Sequence, residues 1–191
     1  NSDGLPMEDH YTSARDLAIL TTALIKEFPD YYRWFSQQEF TFNNITQHNR
    51  NQLLSRDESV DGVKTGFTDD AGYCLVASAL REDMRLISVV MNAKSAKARA
   101  NENQSLLNYG FRFFESHRLY QGKTPLNEAR IWKGAEKTIP LGLAEDLYVT
   151  IPRRQYNDLK GVITVDKKIT APVKEGAKLG SVKVNLKDAV I

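Results

Sequence analysis

Between Val60 and Met91 three runs rich in apolar and β-branched residues follow one another with only short polar breaks, and that pattern leaves little freedom of fold. The runs cover residues 60–68, 72–79 and 85–91; the breaks are Asp69-Asp70-Ala71 and Arg81-Glu82-Asp83. Short strands joined by tight turns predict an antiparallel meander. Its first strand carries Lys64-Thr65-Gly66 just after Asp61-Gly62, a dipeptide favoured in hairpins and expected to form a turn here. The lysine brings a positive charge, the threonine hydroxyl a second donor, and the glycine lets a ligand's backbone lie close to the strand. Alternation sends Lys64 and Thr65 to opposite faces, so both meet one ligand only if it docks along an exposed edge. The triplet therefore predicts a carboxylate-binding edge strand.

Around the meander the first half reads as mixed α/β. Thr12 or Ser13 is placed to cap a helix in which Leu17, Leu20, Leu24, Ile25 and Phe28 recur at helical spacing until Pro29 ends it. An aromatic turn over residues 31–35 and a short strand over 39–42 follow. Residues 43–59 are polar and predict a loop or a pair of turns. A long helix is expected from Ala96 to Ser116, with Leu106, Leu107, Gly110, Phe111 and Phe114 as its buried stripe. Together these give an α+β class, an antiparallel sheet backed by helices.

After Tyr120 the pattern changes to short strand-like runs at 129–132, 147–151, 161–165 and 181–186, separated by turns bearing Gly or Pro. This predicts a small all-β domain, a sandwich or barrel, over 117–191, with residues 1–116 forming the other domain. Charge divides in the same way. Residues 1–114 hold 12 basic and 15 acidic side chains, a balance of −3, whereas 115–191 hold 14 and 9, a balance of +5. The basic half either favours an anionic membrane or wall surface or is a solvated β surface with scattered lysines. The overall charge of +2 does not point to nucleic acid.

Several familiar signals are absent from the sequence. Its single cysteine, Cys74, excludes an intrachain disulfide and reads as a small buried thiol in an apolar strand. No stretch reaches the roughly 18 apolar residues of a membrane span, and no signal peptide is visible. Gly122-Lys123-Thr124 lacks the earlier glycine of a phosphate-binding loop, since His117 stands there. His10, His48 and His117 have no metal-ligand spacing, and Asp69-Asp70 lacks further oxygen ligands. No metal or other cofactor is expected.

Five stretches together carry a resemblance. They are residues 1–6 with the following His10-Tyr11-Thr12-Ser13-Ala14-Arg15-Asp16-Leu17-Ala18; Asn49-Arg50-Asn51 ahead of Leu53-Leu54; Val60-Asp61-Gly62-Val63-Lys64-Thr65-Gly66; Ala71-Gly72-Tyr73-Cys74-Leu75-Val76-Ala77-Ser78-Ala79; and residues 106–114. The chain resembles the serine-type D-alanyl-D-alanine carboxypeptidases among the low-molecular-mass penicillin-binding proteins, in particular the five/six group. The resemblance covers the whole chain, more loosely after Glu115.

That resemblance implies a penicillin-binding, β-lactamase-like transpeptidase fold and removal of the terminal D-alanine from peptidoglycan stem peptides through an acyl-serine intermediate. It implies ligand contacts at Lys64, Thr65, Gly66, Phe67, Thr68 and Arg50, with the Phe67 N–H forming half of an oxyanion hole. Arg50 either recognises the ligand carboxylate or braces its loop through an ion pair. The family's Ser-x-x-Lys and Ser-x-Asn motifs are not found in the 191 residues; Ser95-Ala96-Lys97 places its lysine one position early. The chain is therefore expected to be the C-terminal part of such an enzyme, inactive alone, with catalytic residues in a missing N-terminal segment and a β-rich domain incomplete at its end. Implied partners are a stem peptide ending in D-Ala-D-Ala, β-lactam antibiotics and that N-terminal segment. The implied location is the periplasm, peripheral to the inner membrane through a C-terminal anchor that this chain lacks. A noncatalytic wall- or partner-binding module is the alternative, as is a β-lactamase-like hydrolase within the enzyme class.

Overall fold

The computed structural model describes residues 4–191, so Asn1, Ser2 and Asp3 of the resembling segment lie outside the described residues. The chain forms two compact units, Asn1–Phe113 and Phe114–Ile191. Phe114, Glu115 and Ser116, assigned to the first half from the sequence, fall in the second unit.

In the first unit, helix α1 (Ala14–Glu27) begins at a full capping box, in which the Ser13 side chain accepts from the Asp16 N–H and Asp16 accepts in return from the Ser13 backbone. Leu17, Leu24 and Ile25 turn inward, but Leu20 and Phe28 are exposed and Thr21 is buried between them. Pro29 ends α1 and opens α2 (Pro29–Tyr32), which runs into a 3₁₀ turn, Arg33–Ser36. The segment 43–59, expected to be a loop or a pair of turns, also holds a strand. Strands β1 (Glu39–Phe42) and β2 (Ile45–His48) form a hairpin, and a 3₁₀ turn spans Gln52–Ser55. The hairpin turns at Asn43 and Asn44, both at positive φ (49° and 60°), the pair of left-handed residues that a tight hairpin demands.

The meander follows as β3 (Val60–Thr68), β4 (Gly72–Arg81) and β5 (Met84–Ala93), an antiparallel sheet in that spatial order. Among the described residues β3 pairs with β4 alone and forms an edge. Asp61-Gly62 is not a turn: both residues lie within β3, at a register irregularity between Val60 and Gly62. Local preference loses there to tertiary partners. Asp61 accepts from Tyr32 Oη (2.9 Å) and pairs with Arg85 (2.7 Å), and a Cβ on Gly62 would come within 2.7 Å of the Tyr32 hydroxyl.

Helix α3 (Ala96–Phe113) starts where Ser95 Oγ accepts from the Ala98 N–H, so the nearest approach to a Ser-x-x-Lys motif is a helix cap. The helix stops at Phe113, and Phe114, expected in its buried stripe, begins a strand. Leu106 is exposed; the buried face is Arg99, Ala100, Asn103, Leu107 and Phe111. Asn103 makes that face possible, because its Nδ2 donates to the Leu75 and Arg99 carbonyls while its Oδ1 accepts from Ser88 Oγ, so both ends of its buried amide are paired. Leu17, Leu24 and Ile25 of α1 meet Val76, Ile87 and Val89, whereas α3 meets Leu75, Leu86 and Ser88. By alternation the two helices therefore cover opposite faces of the sheet.

The second unit is all β. It comprises β6 (Phe114–Tyr120) paired with β9 (Leu147–Pro152), and β7 (Pro125–Trp132) paired with β8 (Thr138–Gly142) and β11 (Ile169–Thr170). A third group joins β10 (Leu159–Val165), β12 (Gly180–Leu186) and β13 (Ala189–Val190). Val149, Ile151 and Val184 form its core, with Leu119, Leu147, Leu159 and Leu186 packed around them. Thr124 Oγ1 donates to the Gln121 carbonyl and Gly122 N–H to Asp146, so Gly122-Lys123-Thr124 forms a turn. Among the described residues no helix is long and apolar enough to cross a membrane, and no three His, Cys, Asp or Glu side chains gather as metal ligands.

Candidate functional site

The triplet lies in the exposed half of β3. Val60, Gly62 and Val63 are buried, whereas Lys64, Gly66 and Phe67 are exposed and Thr65 and Thr68 half-buried. Lys64 Nζ donates to the Thr65 carbonyl at 2.7 Å, and no carboxylate stands within ion-pair distance of it among the described residues. Gly66 faces open space. A Cβ there would meet only Cys74 Cβ, at 3.8 Å, which is ordinary contact, so nothing inside the chain requires glycine at this position. Thr68 Oγ1 accepts from the Ala71 N–H and closes the β3–β4 turn.

Arg50 reaches this neighbourhood through a pinned loop. Asn49 accepts from the Asn51 N–H and donates to the Gln37 carbonyl; buried Asn51 donates to the Gly62 carbonyl of β3 at 2.9 Å and accepts from the Leu53 N–H. Arg50, between these two clamps, is exposed, and no ion pair braces it among the described residues.

Sequence reasoning missed Arg99. This α3 residue is only 5% exposed, and its Nη1 donates to the Gly66 carbonyl at 2.9 Å and to the Cys74 carbonyl at 3.3 Å. Its guanidinium also lies 5.5 Å from the Tyr73 ring centre. Burial lowers its pKa from the ordinary value, neighbouring Cys74 and Tyr73 offset part of this, and the charge of Arg50 lowers it further. Two guanidiniums thus repel one another beside the triplet. An apolar helical stripe gives no hint of a buried arginine; its spacing of four from Asn103 and eight from Leu107 was the available signal.

Cys74, expected to be buried, is partly exposed on β4 opposite Gly66, and its Sγ donates to the Ala71 carbonyl at 3.3 Å. Phe67, 53% exposed, pairs across the strands with Tyr73, the ring centres 4.3 Å apart. The site as a whole is an accessible strand edge with a mobile-length lysine, a hydroxyl, two arginines and an aromatic pair. It offers cations and hydrogen-bond donors to an anionic ligand.

Two family models match the chain, and the second begins where the second unit does. Residues 1–95 match D-alanyl-D-alanine carboxypeptidase, and residues 114–191 match the C-terminal domain of penicillin-binding protein 5. The chain belongs to the low-molecular-mass D-alanyl-D-alanine carboxypeptidases. Among its relatives, D-alanyl-D-alanine carboxypeptidase DacC of Escherichia coli is 45% identical over 185 residues, covering 96% of this chain and 46% of the relative. DacA of the same organism is 43% identical with the same coverage. In structure the chain is similar to penicillin-binding protein 5 from Haemophilus influenzae, with a TM-score of 0.87 and 39% identity over 98% of this chain and 56% of the other. It spans about half the length of the curated relatives it matches, 46% for the two named. The α+β class expected from the sequence is the class observed.

Proposed function

We propose that this chain supplies the carboxylate-binding strand of a serine-type D-alanyl-D-alanine carboxypeptidase whose nucleophile and base lie in an upstream segment of a longer protein. The observation that carries this reading is the pairing of an unneutralised Lys64 with a Gly66 that internal packing does not require, on a free strand edge. A glycine kept where a side chain would fit leaves space for a ligand's backbone. A lysine whose ammonium rests on a neighbouring carbonyl can transfer that contact to an incoming carboxylate at little cost. The repulsion between Arg50 and Arg99 adds to the pull on an anion.

In this scheme Lys64 and Thr65 hold the C-terminal carboxylate of a peptidoglycan stem peptide. The upstream serine attacks the carbonyl of the penultimate D-alanine, its proton passing to a lysine base; the C–N bond breaks, the terminal D-alanine leaves as its protonated amine, and water hydrolyses the acyl-serine. Alternation along an edge strand points every second N–H outward. In this scheme the Phe67 N–H is one of those that point outward, toward the developing oxyanion. β-Lactams would acylate the same serine. The second unit positions the enzyme at the periplasmic face of the membrane and takes no part in the chemistry, and Arg50 assists carboxylate recognition.

The test uses the full-length protein and a labelled penicillin. Lys64→Ala should slow acylation at least about tenfold, as expected for losing a charged hydrogen bond worth roughly 1.5–3 kcal/mol. Gly66→Ala should slow it too while leaving the unfolding free energy within about 0.5 kcal/mol of wild type. The 191 residues alone should give no adduct. Unchanged kinetics in both variants, or a stoichiometric adduct on the 191 residues, would overturn the proposal.

A further inference from the structure

The outer face of the β11–β7–β8 sheet carries side chains that the fold leaves unused. Alternation along β7 turns Ala129 and Ile131 inward and Glu128, Arg130 and Trp132 outward. Across the strands Thr138 of β8 stands opposite Arg130, and Thr170 of β11 opposite Trp132, both threonines exposed. Because β7 is paired on both sides, the sheet fixes where Arg130 and Trp132 start. The Trp132 side chain is 44% exposed, and the Arg130 guanidinium lies 4.0 Å from its ring centre. Such stacking holds a guanidinium by its face and leaves the N–H donors around its rim free. Among the described residues Arg130 makes no hydrogen bond or ion pair, not even with Glu128 on the same face, and the Thr138 and Thr170 hydroxyls make no side-chain hydrogen bond. The face thus holds an oriented but uncommitted charge beside an exposed ring.

We propose that this face binds a saccharide polymer bearing carboxylates, with one sugar ring on the Trp132 indole, a carboxylate on the Arg130 rim and hydroxyls on Thr138 and Thr170. The residue types select that class of ligand. An indole accepts the apolar C–H face of a sugar, a fork of N–H donors accepts a carboxylate in two parallel bonds, and a hydroxyl both gives and receives hydrogen bonds. The balance of +5 over residues 115–191 draws a polyanion toward the same unit. A membrane surface fits less well, since Trp132 is the only large apolar side chain exposed on this face among the described residues and insertion requires a cluster. The carboxypeptidase reading above supplies a polymer of the required class, peptidoglycan with its N-acetylmuramic acid, and the choice of that polymer rests on it.

The test uses peptidoglycan strands stripped of their stem peptides by an amidase, which keep the lactyl carboxylates and leave the Lys64 edge no peptide to hold. Isothermal titration calorimetry measures their binding to the full-length protein beside that of chitohexaose, an N-acetylglucosamine polymer without carboxylates. The stripped strands should bind more tightly than chitohexaose. Trp132→Ala should weaken both about three- to tenfold, the range of one aromatic contact. Arg130→Gln should weaken the stripped strands at least about tenfold and chitohexaose less than about twofold. Stripped strands that fail to bind the wild type, or that bind both variants as tightly as wild type, would overturn the proposal. So would binding to phosphatidylglycerol vesicles that both variants lose while glycan binding persists, since the face would then be a membrane contact. Benzylpenicillin acylation reports on the carboxypeptidase reading separately and should be unchanged in both variants, whose circular dichroism should match the wild type.

Discussion

Asp57 offers the sharpest test of how the loop before the triplet strand is held. Its carboxylate accepts from the Ser59 N–H (3.0 Å), the Ser59 hydroxyl, Gln104 Nε2 (2.9 Å) and Arg81 Nη2 (2.8 Å), so it joins that loop to β4 and α3. Burial alone would raise its pKa. Hydrogen bonds from Ser59, Gln104 and Arg81 outweigh it and hold the carboxyl at about 2, against 3.8 for a free side chain. That difference amounts to about 2 kcal/mol of stability at neutral pH. Because the folded value is the lower one, the stabilisation is complete above 3.8 and disappears as pH falls from 3.8 toward 2; about half is gone at pH 3. The side chain is 14% exposed, so solvent screening takes little from this figure.

Urea unfolding can isolate the effect, since each unit holds one of the two tryptophans, Trp34 and Trp132. In a Trp132→Phe background fluorescence follows the first unit alone. Asp57→Asn should lower its unfolding free energy by about 2 kcal/mol at pH 6, and this gap should shrink by about 1 kcal/mol at pH 3. A gap that stays constant between the two pH values would show that the carboxylate is not held below its ordinary range and would refute the argument.

Two further outcomes follow from the bracing of β3. Arg99→Met keeps most of the buried volume but removes both hydrogen bonds; the expected cost is roughly 1.5–3 kcal/mol, with faster amide exchange across residues 64–68, and unchanged exchange there would contradict the strut. Gly62→Ala drives a Cβ against the Tyr32 hydroxyl at 2.7 Å and should cost about 1–3 kcal/mol. Tyr32→Phe should recover part of that loss in a double-mutant cycle, and strictly additive effects would count against the clash.

The meander was legible because short-range patterns dictate it: alternation, β-branched residues and polar breaks all lie within a few residues of one another. The strand over 39–42 was legible, but its partner β2 was missed although Asn43-Asn44 signals a left-handed turn, because the residues of both strands are exposed and leave no buried period to detect. Asp61-Gly62 misled for the opposite reason. Its local preference is for a turn, but Arg85 and Tyr32, distant in sequence, hold Asp61 in a strand. In α3 the buried positions 99, 103, 107 and 111 recur every fourth residue, yet the first two are arginine and asparagine, which an apolar stripe cannot reveal. The helix end was overrun by three residues because no glycine or proline marks it; residues 114–120 simply change partner, pairing with β9.

These side-chain ties define the site by what they leave over. Along β3, Asp61 is engaged by Arg85 and Tyr32, the Gly62 carbonyl by Asn51, the Gly66 carbonyl by Arg99 and the Thr68 hydroxyl by the turn. The five contacts come from five different parts of the first unit, so the strand is positioned by the protein's own side chains and turns. Between them only Lys64, Thr65 and the outer edge as far as Phe67 remain uncommitted, apart from the weakly held contact of Lys64 with its neighbour's carbonyl. Preorganisation of this kind lets binding energy act on the ligand and not on ordering the protein. It also explains why the short triplet is recognisable in sequence while its supports are not. In the proposed function the triplet would meet the ligand directly, and its residue types would follow from that chemistry, whereas a backbone carbonyl accepts equally from an asparagine, an arginine or a lysine wherever the fold brings one near.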